Sequence, residues 1–126
     1  MLIELNPARD KINLYNCGML DVLVFHGEHR THRLTSNNMP LGIAENRPFV
    51  QSELQVSPGD RLYAYSDGIV EVMDGQGRQF GMDGLSSAIS NMLEHDGPLE
   101  SLREKAMQHQ AGDEQLDDIT LVEITC

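Results

Sequence analysis

The spacing of apolar residues changes once along this chain, at Phe80-Gly81, and that switch limits the fold more than any motif does. Before it, apolar residues come in short runs or at alternate positions, the pattern of strands. After it, Leu85, Ala88, Ile89, Met92 and Leu93 fall on one face at helical spacing, which predicts a helix from about Met82 to Glu94. Asp83 stands near its start, where the helix dipole favours an acid. Asp96-Gly97-Pro98 reads as stop, cap and first-turn proline of a second helix. Leu99, Leu102 and Ala106 form that helix's buried stripe, while Glu100, Arg103 and Glu104 face water. Ala111 to Gln115 reads as a polar loop and Ile119 to Ile124 as a last strand. Strands, two amphipathic helices and a final strand make an α+β fold.

In the strand-rich part, Leu2–Leu5 is a short strand stopped by Asn6-Pro7. Lys11 to Cys17 alternates as a half-buried strand does, and Gly18 breaks it. Leu20 to Phe25 is a further strand, with a hairpin tip at His26-Gly27-Glu28-His29 leading into Arg30–Leu34. Thr35 to Asn38 is polar loop, and Phe49 to Val56 alternates again before the Pro58-Gly59-Asp60 turn. Leu62 to Tyr65 follows as a strand buried on most sides, and Asp74-Gly75-Gln76-Gly77 as a second turn.

With 126 residues, the chain is one domain or part of one, large enough for a real core. No segment is long and apolar enough to span a membrane as a helix, and Met1-Leu-Ile-Glu-Leu lacks the basic and apolar regions of a signal peptide. Twenty acids against nine Lys and Arg give a net charge of −11, which argues against nucleic acid or an anionic membrane as main partner. The same charge is compatible with hard cations, which take oxygen ligands. Cys17 and Cys126 form neither a CxxC nor a disulfide framework, as expected of a reducing compartment.

Two acidic signals could carry chemistry. Asp67 follows the Leu62–Tyr65 strand and precedes Gly68, whose missing Cβ permits a sharp turn or close approach to a ligand. It is open to two readings, a turn aspartate bonding its own backbone or a metal ligand. Asp117-Asp118 stands just before the last strand. If that strand lies beside Leu62–Tyr65, Asp67 and one of the pair converge, and two or three carboxylates completed by water is the usual arrangement for Mg²⁺ or Mn²⁺. A solvated acidic loop is the other reading. His26, His29 and His32 straddle the hairpin without a cysteine partner set, a solvated hairpin more than a zinc site. Asp74-Gly75-Gln76-Gly77 lacks the further acids of a calcium loop. Neither a nucleophile elbow nor a Ser/His/Asp arrangement is apparent, so no catalytic group beyond metal ligands is expected.

Taken in order, Asn16-Cys17-Gly18, Pro40-Leu41-Gly42-Ile43, Pro58-Gly59-Asp60, Tyr65-Ser66-Asp67-Gly68-Ile69-Val70-Glu71, Phe80-Gly81 and Asp117-Asp118-Ile119-Thr120 closely resemble the C-terminal part of the SpoIIE-like branch of PPM-type, metal-dependent serine/threonine protein phosphatases. The similarity runs from Leu2 to the last strand. It implies the C-terminal portion of an α-β-β-α sandwich, with antiparallel strands, the two helices on one face and a Mn²⁺/Mg²⁺ pair between the sheets at one end. By motif position Asp67 and Asp117 are the implied metal ligands. Gly68 matches the glycine beside the first acid, and Asp118 stands where related enzymes often carry Asn. Met19 departs from the family, which usually carries His after the Asn-x-Gly. The family's Asp-x-x-Gly-His-Gly-like segment and an earlier acid, which bridge the two metals, do not occur in this sequence. Residues 1–126 are therefore expected to be a partial phosphatase domain without its N-terminal half.

The resemblance implies that the parent protein removes phosphate from phosphoserine or phosphothreonine of a regulatory protein in bacterial signalling. Such domains commonly follow sensory or response-regulator receiver domains in the cytoplasm and act on substrates such as anti-anti-sigma factors. The alternative is a degenerate phosphatase-like domain that binds a partner without turnover. Without the other half, Lys11–Cys17 and Phe49–Val56 are expected to expose an apolar row. The 126 residues alone are then expected to self-associate and to show no activity.

Overall fold

The computed structural model describes residues 1–43, 48–110 and 118–126. Its strands form two antiparallel sheets. One carries β1 (Leu2–Leu5), β2 (Lys11–Tyr15) and β5 (Ser52–Gln55), with β2 in the middle. The other runs in the order β4 (His29–Leu34), β3 (Val22–His26), β6 (Asp60–Tyr65) and β7 (Leu121–Thr125). The helices are α1 (Asp67–Val70), α2 (Gly81–Glu94) and α3 (Glu100–His109).

Strand β3 explains the layering. Val22, Leu23, Val24 and Phe25 are all buried, because both faces of this strand are covered. The two-residue period sends Leu23 and Phe25 to one side, where Tyr63 and Tyr65 of β6 join them against Leu85, Ala88, Ile89 and Met92 of α2 and Leu102 and Ala106 of α3. It sends Val22 and Val24 to the other side, against Ile12 and Leu14 of β2, Val56 and Leu62. Phe25 and Tyr63 meet edge to face, their centroids 5.7 Å apart. The architecture is thus helices, four-stranded sheet, three-stranded sheet, an α+β arrangement with the long helices on one face.

One expectation is overturned in part. Phe49 and Val50 stay exposed, at 60% and 49%, but the rest of Lys11–Cys17 and Phe49–Val56 shows no apolar row: Ile12 and Leu14 are each 1% exposed, and Val56 and Leu54 pack on the same cluster. The partner they need is the inner face of β3 and β6 in the same chain. A second difference is local. Where the sequence read as a sharp turn at Asp67-Gly68, the backbone enters α1, and Gly68 is helical and buried. The left-handed positions in the motif set are Gly18, Gly42, Gly59 and Gly81 instead, at φ 79°, 86°, 93° and 69°. The polar loop predicted over Ala111–Gln115 lies outside the described residues. Among the described residues, no helix is long and apolar enough to cross a membrane.

Candidate functional site

The β6–β7 ladder ends with Tyr65 opposite Leu121, and both strands then leave the sheet at the same end. Ser66 joins them just past that point. Its N–H donates to the Thr120 carbonyl (3.0 Å), and the Thr120 N–H donates to Ser66 Oγ (2.9 Å). The hydroxyl in turn donates to the Asp118 carbonyl (3.1 Å). Ser66 occupies the N-cap position of α1, where a serine ordinarily turns its oxygen onto the helix's free N–H groups. Here it makes no cap bond, and its hydroxyl is spent across the sheet instead.

This clamp ties the backbone at Asp118 to Ser66, the residue that precedes Asp67. Asp67 opens α1, its carbonyl accepting the Glu71 N–H (3.0 Å), and is exposed. Asp118 is held through its carbonyl and is also exposed. Asp117 lies outside the described residues. Among the described residues, no group of three or more His, Cys, Asp or Glu converges to hold a metal ion. The donor chemistry nevertheless fits a hard cation: exposed carboxylates beside open solvent suit Mg²⁺, which keeps several waters and binds through one or two carboxylates.

The loop between β2 and β3 reaches the same end of the four-stranded sheet, since Leu23 pairs with Tyr63. Asn16 lies there, the one buried polar residue among the described residues, 2% exposed. Its Nδ2 donates to the Leu20 carbonyl (2.8 Å) and its Oδ1 accepts the Met19 N–H (3.0 Å). Its own carbonyl accepts from Ser36 Oγ and Asn38 Nδ2, both at 3.0 Å. Asn38 also closes a pair of bonds with Val50, donating at 2.8 Å and accepting at 2.6 Å. Asn16 is therefore tied to Ser36 and Asn38, just ahead of Pro40, and through Asn38 to Val50, by side-chain bonds to backbone.

Asp21, next in this loop, pairs with Arg33 of β4. Burial pushes the nearby Tyr65 phenol up to about 12, and the Asp21 charge adds to that shift. The histidines stay apart from the site. His26 bonds Asp60 (2.7 Å) and His29 faces Glu28 (3.3 Å) at the hairpin tip, the opposite end of β3. Asp74 is the turn residue its sequence indicated, accepting from the N–H groups of Gln76 and Arg78.

Ser66 and Asn38 were not legible as site-building residues. Serine between a strand and Asp-Gly looks like one more turn residue, and an asparagine in a polar stretch looks like loop. The one sequence signal for Ser66 was its place inside the Tyr65–Glu71 motif.

The family model described as Stage II sporulation protein E (SpoIIE) matches residues 1–126. Protein IcfG of Synechocystis is 26% identical over 118 residues, which is 93% of this chain and 19% of that protein. The SiaA-PP2C domain of Pseudomonas aeruginosa superposes with a TM-score of 0.81 at 17% identity, covering 98% of this chain and 50% of that one. The PP2C phosphatase domain of SpoIIE from Bacillus subtilis does so with a TM-score of 0.74 at 20% identity, covering 92% and 34%. The chain thus spans half or less of the length of these relatives. Its two stacked sheets and paired helices are the fold of part of a PP2C domain, and with the family model matched from first residue to last, the chain belongs to the SpoIIE family.

Proposed function

We propose that these residues form the C-terminal part of a Mn²⁺- or Mg²⁺-dependent phosphatase domain that removes phosphate from phosphoserine or phosphothreonine of a regulatory protein in bacterial cytoplasmic signalling. The observation that carries this reading is the Ser66 clamp, which keeps Asp67 beside the chain at Asp118. Asp67 and Asp117 are assigned as ligands of one cation, with Asp118 and Gly68 next to them. Acids from a preceding half of the domain would complete a pair of ions. When bound, such ions polarise a phosphoryl oxygen and generate hydroxide from water near neutral pH. What this chain contributes is negative charge at a fixed place. Asp67 stands on the first turn after a central strand, and Asp118 on the backbone bonded to that strand's end.

A second reading is a non-catalytic module that binds a phosphoprotein partner, an anti-anti-sigma factor for example. In the complete domain, phosphate release from a phosphoserine peptide should require Mn²⁺ or Mg²⁺ and stop on chelation. Asp67→Asn or Asp117→Asn should lower turnover by at least about a hundredfold, since removing ligand charge weakens a site for a divalent ion. Asp118→Asn should be milder. Full turnover in both of the first two variants would overturn the assignment. Partner binding that survives chelation, with no turnover under either metal, would establish the binding module instead.

A further inference from the structure

We propose that Ser66 is a positioning residue for the cation site: its hydroxyl, by bonding across to the backbone of Asp118 and Thr120, holds the chain at Asp118 against the start of α1, where Asp67 stands. The inference rests on the metal-binding reading above and deepens it.

The sheet's own ladder stops at Tyr65 opposite Leu121, short of both acids. Beyond that, one side chain makes two bonds between the departing segments. Ser66 Oγ accepts the Thr120 N–H at 2.9 Å and donates to the Asp118 carbonyl at 3.1 Å, so the hydroxyl acts in both senses at once. No hydrocarbon side chain can do this, and an amide or carboxyl of greater length would place its oxygen elsewhere. A third bond, from the Ser66 N–H to the Thr120 carbonyl, is backbone and survives any substitution but proline. A serine at the N-cap would normally be drawn to the first turn of its own helix. That the hydroxyl makes no such bond here is the discriminating observation. The cap is forgone, and both hydrogen-bonding functions go to the segment that carries Asp118.

The consequence for a cation follows from how such sites work. Partners one shell beyond the ligands orient them, and losing one typically weakens metal binding by about 10- to 100-fold. Ser66→Ala removes both bonds while leaving the β6–β7 ladder intact. Ser66→Thr keeps the hydroxyl.

The test is Mn²⁺ titration of the full chain, followed by water-proton relaxation, alongside hydrogen exchange of individual amides. Ser66→Ala should weaken Mn²⁺ binding by at least about tenfold, and Ser66→Thr should bind within about threefold of the parent. The Thr120 amide should exchange faster in Ser66→Ala, while the ladder amides of Tyr63 and Glu123 keep their protection. If Ser66→Ala does not fold, Ser66→Cys, with a weaker donor, should give an intermediate loss. Equal Mn²⁺ affinity in the parent and Ser66→Ala would overturn the positioning role and leave the metal site standing. Equal loss in the Ala and Thr variants would also overturn it, because the hydroxyl would then not be the cause. A parent chain that binds no Mn²⁺, with Thr120 protection still dependent on the hydroxyl, would overturn the metal reading and this role with it, leaving only a structural clamp.

Discussion

Gly18 lies directly against Pro40, so closely that a Cβ at residue 18 would sit 2.4 Å from Pro40 Cγ. The glycine is therefore required twice, by this contact and by its φ of 79°, a region that costs other residues about 1–2 kcal/mol. Its N–H also donates to Ser36 Oγ (2.8 Å), which in turn donates to the Asn16 carbonyl. Two motifs far apart in the chain meet at this point.

Gly18→Ala should consequently destabilise the chain by roughly 2–4 kcal/mol, combining backbone strain with overpacking against proline. Urea unfolding of the parent and variant measures it. A change below about 0.5 kcal/mol would mean that the Pro40 loop moves aside at little cost.

The second core makes a separate claim. Leu14 is 1% exposed between the two sheets, whereas Leu54 is only partly buried on the same cluster. Leu14→Ala should cost about 2–5 kcal/mol and Leu54→Ala distinctly less, following the size of the cavity each leaves. Equal, small losses in denaturant unfolding would show that the three-stranded sheet does not close on β3 and β6.

Much of this was legible from residue spacing. The long stripe of Leu85, Ala88, Ile89 and Met92 fixes α2 because 14 residues show the helical period clearly. Helix α1, with 4 residues, has no period to display, and it contains a glycine. The alternation of Ile12 and Leu14 marked a strand with one buried face, but not what covers that face. The answer was in the uninterrupted Val22–Phe25 run, which needs cover on both sides. Of the site, Asp67 and the terminal acids stood out as residue types. The clamp between them did not, because a hydroxyl bonding across a sheet end leaves no pattern in sequence.

Stability should also depend on pH at both extremes, with opposite signs. The Asp74 carboxyl is held down to about 2, first by the Arg78 N–H. Its contribution is present above the ordinary value of 3.8 and is lost as pH falls toward 2. Tyr65 is raised, chiefly by burial, to about 12. Its contribution is complete below 10 and is lost as pH rises toward 12, because the unfolded chain then ionises first. Melting temperatures across pH should fall at both ends, the acid limb flattening in Asp74→Asn and the alkaline limb in Tyr65→Phe. Tyr65 Oη has no hydrogen-bond partner among the described residues, so Tyr65→Phe should cost little near neutrality. A loss above about 2 kcal/mol there would show that the hydroxyl is bonded after all.

The last expectation is self-association of the chain by itself. The buried state of Ile12 and Leu14 removes the surface first expected to drive it, yet other apolar surface remains. Leu2, Leu41 and Phe49, at 60%, 71% and 60% exposure, line one hollow together with Met1, Tyr15 and Cys17. The described strands also leave β1 and β5 at the edges of one sheet, and β4 and β7 at the edges of the other. An apolar patch of this kind beside unpaired edges favours contact between copies. The net charge of −11 opposes that contact, and salt weakens the opposition by shortening the Debye length. Light scattering should therefore show a mass that rises with protein concentration, and more steeply at about 0.5 M salt than at low salt. The double variant Leu41→Ser with Phe49→Ser should return the chain to a monomer. A parent chain that is monomeric throughout would show that this surface is too small or too hydrated to hold a second copy.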